Sequence, residues 1–107
     1  MVQACIDCFL ANDLDGYMAA CRMLGAFDGR GLLARIAVPT LVLVGEEDYA
    51  APVAMAQALH AGIAGSTLEV VPATRHLTPL EVPELVADRL ASLCAKSFAA
   101  PRGAPRP

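Results

Sequence analysis

Apolar positions along the chain change their spacing twice, and each change marks an element. Val2, Cys5, Ile6, Phe9 and Leu10 recur at intervals of three and four, one stripe of a helix. The turn "NDLDG" interrupts the stripe. Asp13 is placed there to cap a second helix, which carries Tyr17, Ala20, Cys21 and Leu24 on one face. "FDGRG" supplies the turn residues that end it. The period then shortens. Pro39 precedes "TLVLVG", an unbroken apolar run stopped by Gly45, as expected of a parallel strand covered on both faces. Pro52 opens a third helix with Met55, Leu59 and Ile63 on one face, closed by "GIAG". "TLEVV" predicts a second strand, followed by a loop that holds His76. A last helix from about Pro83 to Ser97 turns Val86, Leu90 and Leu93 inward, and "AAPRGAPRP" (99–107) reads as a disordered tail.

The order is helix, helix, strand, helix, strand, helix. Its two strands and the helix between them form a βαβ unit, right-handed by the twist of its strands. The fold class is therefore α/β. Two parallel strands cannot stand alone with both faces covered and both edges open. The "TLVLV" strand calls for a larger sheet than this chain builds. The chain is a piece of such a fold, or its open edge pairs with a partner chain or a second copy.

Composition narrows the function classes. The 107 residues make one domain at most, and with 56% hydrophobic and 18% charged residues most of the length is expected to fold. There is no Trp and few other aromatics, so a stacking platform for single strands is excluded. A net charge of −3 without a basic run argues against any nucleic-acid partner. No apolar stretch approaches the roughly 18–20 residues that span a bilayer. The N-terminus lacks a basic start and carries Asp7, unlike a signal peptide, so a cytoplasmic protein with reduced thiols is expected. Cys5 and Cys8 form a CxxC, but His60 and His76 lie far away and no second close pair exists, so no metal site is expected. The CxxC also sits inside a helical stripe, not after a strand. Structural thiols, buried or half-buried, are the expectation for all four cysteines, and no cofactor is implied.

In open α/β sheets, function collects at the carboxyl ends of the strands. Asp48 follows the first strand and His76 the second, on what should be neighbouring loops. A carboxylate beside an imidazole fixes its tautomer and stabilises the imidazolium, which makes the histidine a general base. Blander accounts exist for each: a loop histidine capping the next helix, and a turn residue in "GEEDYAAP", where Glu46 or Glu47 can be mistaken for the acid. His60 is expected at the surface, and Glu46, Glu47 and Glu81 in solvated loops rather than on a cation.

The stretch "IAVPTLVLVGEEDYAAPVAMAQALHAGIAGSTLEVVPATRHLTPLEVPELV" resembles the C-terminal segment of the α/β-hydrolase superfamily. It looks most like the esterase and lactonase branch that includes the 3-oxoadipate enol-lactonases. "NDLDGYMAACRMLGAFD" is similar to the helix before that segment, where the cap returns to the core. The resemblance implies a triad aspartate at Asp48, a triad histidine at His76, and a helix beginning near Glu81 to Glu84. It assigns 1–98 to the C-terminal part of a hydrolase domain, with 1–28 as cap-to-core helices and 36–98 as the last two strands and their helices.

The chain departs from the family at the nucleophile, which there occupies a strand–turn–helix elbow, G-x-S-x-G, ahead of the Asp and His. Ser66 joins a helix to a strand, the reverse order, and Ser92 and Ser97 fall in the last helix. The oxyanion loop belongs to the same missing region. Arg75 replaces a residue that is usually small in the family, and either perturbs His76 or points to solvent. The expectation is the C-terminal segment of a serine hydrolase acting on a small ester or lactone, inactive alone. The competing class is a non-catalytic remnant or interaction module that pairs through its sheet edge. A cysteine-dependent activity is a third option that the spacing does not support.

Overall fold

A computed structural model describes residues 1–99 and divides them between two compact units, Met1–Gly31 and a second beginning at Leu32. The tail expected at 99–107 lies outside the described residues except for Ala99, the last residue of the final helix.

The first unit is a helical hairpin. Helix α1 spans Val2–Leu10 and α2 spans Leu14–Ala26. The Asp13 carboxylate accepts the Gly16 N–H at 2.7 Å and so starts α2, as its position predicts. Phe9 and Tyr17 pack edge to face across the hairpin, ring centroids 5.4 Å apart. The predicted stripe on α1 exists, yet neither helix contains a buried residue. The thiol expectation is corrected with it. Cys5 is half-buried, but Cys8, Cys21 and Cys94 are exposed. Periodicity shows which face a helix would bury, and burial itself needs a second layer.

A 3-10 turn, Arg30–Arg35, spans the boundary at Leu32, and in the second unit the chain leads on to strand β1 (Leu41–Gly45). Helix α3 (Val53–Gly62) crosses over to β2 (Thr67–Val71), and the two strands pair in parallel with Val42 opposite Leu68 and Gly45 opposite Val71. A four-residue helix α4 (Thr78–Glu81) and the long α5 (Pro83–Ala99) complete it. Val42 and Val44 of β1 meet Ala56 of α3, with Val53 and Leu68 packed alongside. Burial alternates along β1, and Leu41 and Leu43 are only half-buried, so the strand is fully covered on one face rather than two.

Two predicted helix faces are rotated. On α3 the buried residue is Ala56, with Ile63 buried just beyond the helix, while Met55 and Leu59 remain 60% and 43% exposed. The small Ala56 lets α3 close onto Val42 and Val44, which leaves its longer neighbours at the side. On α5, Val86 and Leu93 turn inward as predicted, but Leu90 is exposed. The inward position is Arg89, whose guanidinium grips Glu69 of β2 through two bonds of 2.6 and 2.9 Å.

Gly45 is where the strand must be a glycine. A Cβ there would fall on the carbonyl oxygens of Thr74 and Arg75, with the Thr74 carbonyl carbon at 2.6 Å. Gly25, inside α2, opens instead onto empty space. Gly45→Ala is expected to lower the unfolding free energy by about 2 kcal/mol or more. Gly25→Ala should hold or raise it, since alanine is the better helix former. Urea titration of the two variants checks the contrast.

Candidate active site

The site begins where β1 ends. Gly45 to Asp48 form a tight turn closed by the Asp48 N–H on the Gly45 carbonyl at 3.2 Å. Beyond the sheet the ladder continues: Glu46 N–H donates to Val71 O and Glu47 N–H to Thr74 O, both at 2.9 Å. The loop after β2 is therefore sewn to the turn after β1. Thr74 is 2% exposed and donates its hydroxyl to the Pro72 carbonyl at 3.0 Å. Ala73 takes a left-handed φ of 50°, unusual for a residue with a Cβ, and reverses the chain toward His76.

Asp48 is buried and its carboxylate is fully occupied. Oδ1 accepts the N–H groups of Ala51 at 2.8 Å and Ala50 at 3.0 Å, in the turn that delivers Pro52 to the start of α3. His76 Nδ1 lies 2.9 Å from Oδ2 and 3.1 Å from Oδ1. The Ala51 N–H, then the His76 ring, then the Ala50 N–H hold this carboxyl below the usual carboxylate range. An ionised carboxylate only accepts, so Nδ1 carries the proton and donates it, and Nε2 presents its lone pair. Nε2 has no hydrogen-bond partner among the described residues. The imidazole is 57% exposed and borders an open depression of about 260 Å³ that Val42, Asp48, Met55, Leu59 and Thr78 also line.

The acidic residues around the pair are not free solvated charges, as the sequence led us to expect. Glu46 Oε2 accepts the Ala73 N–H at 3.2 Å. Glu81 accepts the N–H groups of Arg75 at 3.0 Å and Leu77 at 3.2 Å. Glu47 faces Arg75 at 3.6 Å, an exposed pair of small energetic weight. Arg75 is therefore turned to Glu47 and solvent. Glu81 had a faint signal, since a glutamate at the start of a helix can reach back to its N-terminal N–H groups. For Glu46 we find no sequence signal.

The remaining serines and His60 lie elsewhere. The Ser66 hydroxyl is buried between His60 Nδ1 at 2.8 Å and the His60 carbonyl at 3.2 Å. The Ser97 hydroxyl donates to the Leu93 carbonyl of its own helix. His60 is exposed, where the sequence places it. Among the described residues no group of three or more His, Cys, Asp or Glu side chains is placed to hold a metal ion, and no helix is long and apolar enough to cross a membrane.

Comparison with known proteins gives the fold its class. No family model matches the chain. In structure it resembles a serine hydrolase involved in carbazole degradation (CarC), with a TM-score of 0.65 at 29% identity over 73% of this chain and 31% of that one. It also resembles a hydrolase from Pseudomonas aeruginosa PA01, with a TM-score of 0.60 at 32% identity over 64% of this chain and 26% of that one. The chain is a segment of the α/β-hydrolase fold. In sequence it is similar to the enol-lactonase and esterase branch. It is 40% identical over 80 residues to 3-oxoadipate enol-lactonase 2 of Acinetobacter baylyi, and 32% identical over 84 residues to enol-lactonase 1 of the same organism. Those matches cover 70% and 78% of this chain but only 30% and 31% of the relatives. The chain thus spans about a third of the length of the curated relatives it matches.

The lowered pKa of Asp48 makes a prediction with a definite sign. Its folded value lies below the ordinary one of about 3.9, so its contribution to stability is whole above that pH. The contribution is lost as pH falls through the lower, folded value. Asp48→Asn should therefore lose less stability than the parent between about pH 4 and pH 2. The part that persists in the variant includes Glu69, which the Arg89 guanidinium holds low in the same way. Urea midpoints measured across this range compare the two.

Proposed function

We propose that this chain supplies the acid and base of a Ser–His–Asp triad in a serine hydrolase acting on a small ester or lactone. The serine and the oxyanion-stabilising amides belong to sequence outside these 107 residues. One observation carries the reading: His76 Nδ1 stands 2.9 Å from a buried, ionised Asp48, and Nε2 is left open. That arrangement follows two adjacent parallel strands, where α/β folds gather their chemistry. Residues 1–28 then return from a cap to the core, and 36–98 hold the last two strands and their helices. Four free cysteines fit a reducing, cytoplasmic setting.

The chemistry follows from the tautomer. Nε2 takes the proton of the serine hydroxyl as its oxygen attacks the ester or lactone carbonyl. The imidazolium that forms is stabilised by Asp48, which holds the Nδ1 proton throughout and is never itself protonated. Nε2 then gives its proton to the leaving alkoxide as the carbonyl is restored. Water repeats the sequence on the acyl-enzyme and frees the acid.

The test is complementation. Alone, the chain should not hydrolyse an activated p-nitrophenyl ester faster than buffer. Joined to the strand–G-x-S-x-G–helix portion of a relative, it should turn the ester over, and His76→Ala should lower kcat about a thousandfold or more. Turnover by the isolated chain that vanishes in His76→Ala would mean that the nucleophile lies in this sequence after all. A completed protein indifferent to His76→Ala would favour the second reading, a non-catalytic module. That reading has its own observation, the outer edge of β1, which pairs with no strand among the described residues.

A further inference from the structure

The imidazole of His76 is mostly exposed, and its link to Asp48 is the only side-chain hydrogen bond that holds it among the described residues. That link cannot by itself fix the ring, because a loop free to shift would carry the ring away from the carboxylate. The backbone on both sides of His76 must be held, and one residue holds both. Glu81 Oε2 accepts the N–H of Arg75 at 3.0 Å, and Glu81 Oε1 accepts the N–H of Leu77 at 3.2 Å. These are the N–H groups of the residues immediately before and after His76.

A simple helix cap does not account for the pair. Leu77 is the N-cap of α4, so its N–H is one that a capping carboxylate would take. The Arg75 N–H lies two residues earlier and belongs to no part of α4. Helix α4 itself has four residues, too few to be rigid unaided, so Glu81 orders it as much as it decorates it. We propose that Glu81 is a positioning residue for His76, gripping the N–H groups of the two residues that flank it; the proposal rests on the triad reading and deepens it.

Glutamine is the discriminating substitution. It keeps the size of the side chain but offers one acceptor oxygen, so one of the two N–H groups would face an NH2 instead. The readout is the His76 ring in the full chain, by nitrogen and proton NMR, which needs no nucleophile. The parent should give a protected Nδ1–H signal and an unprotonated Nε2. In Glu81→Gln that proton should exchange with water about tenfold faster, as expected for the net loss of about one hydrogen bond. The same change at the exposed Glu84 should leave the signal as it is.

Each other outcome has a distinct meaning. A parent chain with no protected Nδ1–H would overturn the Asp48–His76 pair and the triad reading with it. A protected signal unchanged by Glu81→Gln would leave the triad standing and remove Glu81 from it. Collapse of the dispersed amide spectrum in Glu81→Gln would also sink the proposal, by giving Glu81 a role in the whole fold. In the completed hydrolase, Glu81→Gln should lower kcat with KM unchanged, whereas a raised KM at constant kcat would count against positioning.

Discussion

The close approach of two backbones at Gly45 governs the rest of the second unit. The Thr74–Arg75 peptide lies where a side chain on Gly45 would be, and only its absence lets the loop after β2 lie against the end of β1. Once there, the loop is held by the Glu47 N–H on the Thr74 carbonyl and by the burial of Thr74. Asp48 and His76 are far apart in the chain yet each lies only a few residues from this contact. Their 2.9 Å separation is a consequence of main-chain packing, and the hydrogen bond between them reads it out.

The division of burial between acid and base has a physical logic. Asp48 can be buried because backbone N–H groups and the imidazole between them engage both of its oxygens, so desolvation raises its pKa less than those bonds lower it. The cost of burying a charge is met by main-chain dipoles already fixed by the fold. His76 has the opposite setting, with one nitrogen committed to Asp48 and the ring mostly exposed. Its exposure would make it mobile, which is why the anchoring falls to peptide groups and to the carboxylates of Glu81 and Glu46.

Much of this was legible in the sequence, for reasons that differ by element. The first strand was marked by an unbroken apolar run between Pro39 and Gly45 and the second by "TLEVV" after the "GIAG" turn, and both form where those stretches lie. Asp13 announced α2 because N-cap chemistry is local. The meeting of the two loops followed from topology, since parallel neighbours end on the same side of a sheet, and the family resemblance pointed to Asp48 rather than Glu46 or Glu47 in the first of them. Helix faces were harder. Met55 and Leu59 are the larger apolar residues on α3, but the sheet selects Ala56 for its smallness, a choice that depends on the partner surface. Arg89 was passed over for Leu90 because an inward arginine requires knowing that Glu69 faces it. Glu46 and Glu81 were read as solvated because a carboxylate that accepts loop N–H groups leaves no periodic trace.

The exposed residues of the second unit point to a common requirement. β1 offers a row of unpaired backbone groups along its outer edge, and Met55 and Leu59 stand half to largely exposed in the depression that His76 borders. A further parallel strand laid along that edge would satisfy the backbone row and begin to cover the apolar side chains. Its carboxyl end would necessarily lie on the same side of the sheet as Asp48 and His76, because parallel strands share their direction. A strand that completes this edge of the sheet would thus also end beside the Asp48–His76 pair.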